Sequence, residues 1–182
     1  MSDSFCQDLS KEHHAILFGV RRSIRYHSRR RSYYDHISKS AAVLSAIGGS
    51  ATIIALLSTL PQQVAITFAA SVACLSAVNL VVSPAQAARA HHDFVKAFIA
   101  LEKDLVAIDP ARMTLEQYNA HNSARLDIEA QEPPVLSVLN TICHNELVRA
   151  MGYGKDQLVK ISCWQRWSSN FLDLGEHNLC TK

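Results

Sequence analysis

The chain has 182 residues, a net charge of +2 and 48% hydrophobic residues, a length that suits one domain. Its five cysteines, Cys6, Cys74, Cys143, Cys163 and Cys180, are odd in number and contain no C-x-x-C pair, which argues against a disulfide framework and a structural zinc site. The near-neutral total conceals an asymmetry: residues 1–39 carry eight Lys/Arg against four Asp/Glu, and residues 89–182 carry ten against twelve.

Residues 1–39 form the first segment, a basic amphipathic helix with Leu9, Ile16, Val20 and Ile24 on one stripe and no proline to break it. Arg21, Arg22, Arg25, Arg29, Arg30 and Arg31 crowd into eleven residues shortly before the chain turns apolar. A cluster of that size beside a span favours anionic headgroups at roughly 1 kcal/mol per cation, and a guanidinium can also grip a phosphate bidentately. Base stacking has little support beyond Tyr26, Tyr33 and Tyr34, so no nucleic-acid partner is expected.

From Ser40 to Ala88 no Asp, Glu, Lys, Arg or His occurs, although those types fill 43 of the other 133 positions. Pro61-Gln62-Gln63 divides the apolar part of this stretch, residues 40–82, into runs 40–60 and 64–82. At 1.5 Å rise per residue each run matches the ~30 Å bilayer core, which predicts a transmembrane hairpin. The cations before the first run and the uncharged turn place both termini in the cytoplasm by the positive-inside rule. The first run begins too deep in the chain for a secretory signal. The competing reading is a soluble helical oligomer that buries the hairpin as its core.

Two small-residue lines run along the predicted spans, one through Ala41, Ser45, Gly48, Gly49 and Thr52, the other through Ala65, Ala69, Ala73 and Ala77. Such faces let helices pack closely in lipid, within a hairpin or between protomers. Asn79 is the lone amide of the second span, and an unpaired amide in hydrocarbon costs several kcal/mol, so it is expected to bond across helices or line an aqueous path.

Residues 83–109 form a cytoplasmic stalk helix, with Phe94, Phe98, Leu101, Leu105 and Ile108 at alternating steps of four and three. It is expected to pair antiparallel with the N-terminal helix. His13-His14 and His91-His92 lie on these two helices and are expected to be solvated; no H-E-x-x-H or ligand-spaced cysteine accompanies them, so no metal is predicted.

Residues 110–182 form a C-terminal helical region. A capping box at Thr114 and Gln117 opens a polar helix running to about Gln131. Pro133-Pro134 breaks the chain, and Val135, Leu139, Ile142, Leu147 and Met151 mark an amphipathic helix closed by Gly152 and Gly154. A last helix, roughly Asp156 to Leu174, carries Trp164, Trp167 and Phe171 as its expected core. The fold class is all-α, and no catalytic constellation or cofactor motif emerges: His144 beside Cys143 is no nucleophile pair, because adjacent helical residues do not face each other.

The string Arg25-Tyr26-His27-Ser28-Arg29-Arg30, the span with Gly48-Gly49-Ser50-Ala51, a second span, and Phe98–Glu102 resemble in order the SLATT proteins, bacterial two-span effectors. The resemblance covers about residues 15–108. It implies an oligomeric, pore-forming or membrane-perturbing effector of the inner membrane in antiphage defence by abortive infection. It also implies a partner that makes or senses a nucleotide signal. The sequence carries a competing expectation, a non-conducting membrane scaffold that tethers a partner through its C-terminal helices.

Overall fold

The computed structural model of the chain describes residues 2–50, 53 and 56–171, with side chains from residue 7 onward. The described residues are all-helical apart from loops and turns, and contain no strand. The principal elements are α1 (Ser2–Gly48), α2 (Gln62–Val82), α3 (Pro84–Val106), α4 (Leu115–Glu129), α5 (Ser137–Ala150) and α6 (Cys163–Ser168). They divide between two units, one of Arg30–His91, the other of Met1–Arg29 with His92–Lys182.

α1 begins in the second of these units and ends in the first. No proline interrupts it, and it stops where Gly48-Gly49 removes helix propensity. Ser50 then lies outside the helix, and its hydroxyl accepts from the Ile53 N–H at 3.3 Å, an N-cap for a new turn. The expected first span over 40–60 is therefore not one continuous helix. The reason is local: α1 stops at two consecutive glycines, and Ser50 beyond them lies outside any helix. Residues 51, 52, 54 and 55 of that span lie outside the described residues.

α2 and α3 meet at Ser83, which adopts a left-handed conformation (φ 45°) and donates its backbone N–H to the Asn79 carbonyl. Pro84 follows at the first turn of α3, where its missing N–H costs no hydrogen bond.

In the unit containing Met1–Arg29, α1 and α3 run antiparallel. His13 pairs with the Leu105 carbonyl (3.0 Å), Arg21 with Glu102 (2.7 Å), and the His27 ring stacks on Phe94 with centroids 5.0 Å apart. Ile16 and Val20 pack with Phe98, Leu101 and Leu105, and Tyr118, Ala124 and Ile128 of α4 close over them. The expected antiparallel pairing of these two helices is thus present. Its seam includes Phe98, Leu101 and Leu105 as read from the sequence, with Ile108 falling beyond the helix end at Val106.

α4 opens on the expected capping box of Thr114 and Gln117, and α5 closes with Gly152 at φ 74°, the left-handed position glycine favours. The expected last helix over 156–174 is not formed. Asn145 of α5 donates its side-chain amide to the Val159 carbonyl (2.7 Å) and accepts from the Val159 N–H (2.9 Å), taking both backbone groups that a helix would use. Only Cys163–Ser168 is helical, opened by a capping box of Ser162 and Gln165, and residues 172–174 lie outside the described set. Trp164, Trp167 and Phe171 are exposed at 79%, 73% and 63%, so they do not form a core.

Candidate functional site

The unit Arg30–His91 carries the apolar surface. The chain has one stretch, Gln62–Val106, long and apolar enough among the described residues to cross a membrane, and nothing in its apolar window is buried. No residue of α2 is buried. Val64, Ile66, Val78, Leu80, Val81 and Val82 all face outward. In water such a surface is unfavourable at roughly 25 cal/mol per Å².

The small-residue candidates separate. Gly48 is a true close approach: a Cβ there would sit 3.3 Å from Val72 Cγ2 and 3.8 Å from Phe68 Cε1. Ser45 and Gly49 are exposed, and a Cβ on Gly49 would meet only its own helix at the Ser45 carbonyl. Thr52 lies outside the described residues. On α2 the half-buried line is Ala65, Phe68, Val72 and Leu75, whereas Ala69 and Ala73 are exposed. The expected alanine face is thus displaced by about one position around the helix, because larger side chains fill the space beside Gly48. Asn79 is also exposed and bonds across no helix among the described residues. On α2 its backbone carbonyl holds the Ser83 cap.

The six arginines are largely occupied within the protein. Arg21 binds Glu102, and Arg29 binds Glu146 of α5. In the apolar unit Arg31 lies 3.7 Å from Asp35, and the Arg30 guanidinium stands 4.7 Å over the Tyr34 ring. Arg22 and Arg25 are half-buried. Burial pushes the Tyr33 hydroxyl above its ordinary value, with Arg30 opposing the shift. The stretch that reads as a free basic patch is mostly a set of intramolecular contacts, two with acidic residues far away in sequence and two with neighbours one helical turn on.

His13, His14 and His91 each meet a different partner. His13 is buried on Leu105, His91 is buried and stacks on Tyr34 (5.7 Å), and His14 bonds Tyr153. The expectation of solvated stalk histidines fails for His13 and His91, because the antiparallel register carries both into the seam.

The feature missed from sequence is His27. Its ring is fully buried, stacks on Phe94 and Phe98, and meets Glu132 at 2.9 Å; the Glu132 side chain is itself 8% exposed. A signal existed. His13, Val20, His27, Tyr34 and Ala41 recur every seven residues, and all except half-buried Tyr34 are buried. Cys143 packs beside Tyr26 and Leu139, and burial pushes its thiol up to about 11, against Arg29 and with Glu146. A thiol held neutral in this way is a packing group.

Comparison of the chain with protein-family models, with curated proteins and with solved structures finds no match.

Proposed function

We propose that the protein is an integral membrane effector that perturbs the bilayer. In this reading residues 40–60 form the first arm of a transmembrane hairpin, α2 returns the chain as the second, and both termini lie in the cytoplasm. Copies associate through their spans and form an ion-permeable path, held closed by the cytoplasmic helices until a trigger arrives. The observation that carries the reading is α2, a 21-residue helix with no buried residue and an exposed Asn79. Lipid satisfies the apolar side chains, and a second copy or a water path satisfies the amide. The resemblance to SLATT proteins supplies the setting, bacterial antiphage defence by abortive infection, with a nucleotide-signal partner as the source of the trigger.

The test is membrane potential in bacteria expressing the chain. Depolarisation upon triggering, reduced by Asn79→Leu and Gly48→Leu, is the expected result. Unaltered potential under every phage challenge, with the protein present in the membrane, overturns conduction.

A second reading, a non-conducting scaffold, draws support from exposed Trp164, Trp167 and Phe171. It expects a partner to co-purify with the wild type and to be lost with Trp164→Ala/Trp167→Ala while membrane potential stays normal.

A further inference from the structure

A cleft of about 370 Å³ opens between α1, the Pro133-Pro134 turn and α5, in the unit containing Met1–Arg29. That volume falls within the range of small-molecule sites, about 300–1,000 Å³. Arg22, Ser23 and Asn140 bring polar side chains to it, and Tyr26, Pro133 and Val135 bring apolar surface. Two carboxylates also line it, but both are engaged: Glu132 with His27 at 2.9 Å and Glu129 with Arg125 at 3.4 Å. Arg22 is the one cation in the lining, and it makes no ion pair among the described residues. Its Nε is buried and has no hydrogen-bond partner among the described residues. A buried guanidinium N–H without an acceptor is unfavourable, and an anionic oxygen is the acceptor that suits it best.

We propose that this cleft binds a phosphate-bearing ligand, with the Arg22 guanidinium on the phosphate, the Ser23 hydroxyl and Asn140 amide as further donors, and Tyr26, Pro133 and Val135 against an apolar part. The phosphate chemistry is shared by a soluble phosphate ester and a phospholipid headgroup. The proposal is independent of whether the spans conduct.

The test uses the full chain in dodecyl maltoside, which contains no phosphate, and measures binding by calorimetry. The probes are inorganic phosphate, phenyl phosphate, and dihexanoyl phosphatidylglycerol below its micelle concentration. Saturable binding of phenyl phosphate is expected to be about tenfold tighter than that of inorganic phosphate and to weaken about tenfold in Arg22→Gln. Ser23→Ala, which preserves the helix, is expected to weaken it less, and Arg112→Gln, an exposed cation elsewhere, is expected to leave it unchanged. Tighter binding of the lipid assigns the headgroup as source, and tighter binding of phenyl phosphate assigns a soluble ester. Absence of saturable binding for all three probes overturns the site. Equal binding by wild type and a folded Arg22→Gln also overturns it, as does binding unchanged in Ser23→Ala should Arg22→Gln fail to fold.

Discussion

Phe98 and Leu105 are shut away from solvent, whereas Leu80 and Val81, on a helix of similar length, lie 79% and 84% exposed. The contrast extends through the two units. In that of Met1–Arg29 with His92–Lys182, Ile16, Val20, Phe98, Leu101 and Leu105 turn inward as in a helical bundle and Arg21 and Arg29 find carboxylates, although Trp164, Trp167 and Phe171 stay exposed. In that of Arg30–His91, apolar side chains turn outward along α2, while Gly48 approaches Val72 and His91 stacks on Tyr34. One set of residues is arranged for water and the other for lipid or protein. The same side-chain chemistry is buried in one unit and turned outward in the other, and that outward face is what the proposed membrane reading rests on.

Mutations can break this comparison. The largest effect is expected at Phe98→Ala, which removes a fully buried ring from the bundle core and costs about 3–5 kcal/mol. Thermal unfolding of the full chain in detergent measures it. Next is Ala73→Asp, an exposed position near the middle of α2. On a water-facing surface it changes stability by about 0.5 kcal/mol or less, but at the centre of a span it costs about 2.5–3.5 kcal/mol. A sharp fall in the carbonate-resistant membrane fraction is expected, and an unchanged fraction removes the lipid-facing reading of α2.

Glu132→Ala sharpens the inner side of the contrast. It leaves His27 buried without its carboxylate, a loss of about 1–3 kcal/mol that the exposed pair Lys11–Asp8 does not show when broken. The smallest effect is alkaline. The Cys143 thiol titrates near 11 when folded, above its ordinary 9.0, so its protonated form is favoured by the fold. Its stabilisation is complete below about pH 9 and is lost as pH rises through about 11. Cys143→Ala is expected to flatten that part of the stability profile. In the same samples a charged maleimide at pH 8 is expected to label exposed Cys163 and to spare Cys143 until the chain is denatured. In vesicles, exposed Cys74 of α2 is expected to stay unlabelled until detergent is added.

Much of the bundle was legible because its signals are local. The Thr114 capping box, the Gly152 stop and the α3 seam depend on residues within a few positions of one another. Trp164 and Trp167 misled, since bulky aromatics read as core when nothing shows that Asn145 pulls Val159 out of a helix. The arginines misled for the same reason: Arg29 and Glu146 lie 117 positions apart.

The sequence by itself determined the helical class, the uncharged stretch and the apolar character of α2, since these follow from composition, spacing and the geometry of a helix turn. Only the tertiary structure decided that His27 is buried on Glu132, that Gly48 rather than Gly49 is the close approach to α2, and that the Arg22 Nε is buried beside a cleft without an acceptor among the described residues. Those outcomes depend on which residues distant in the chain meet. Propensity and periodicity set each helix, but the antiparallel register chooses the partners.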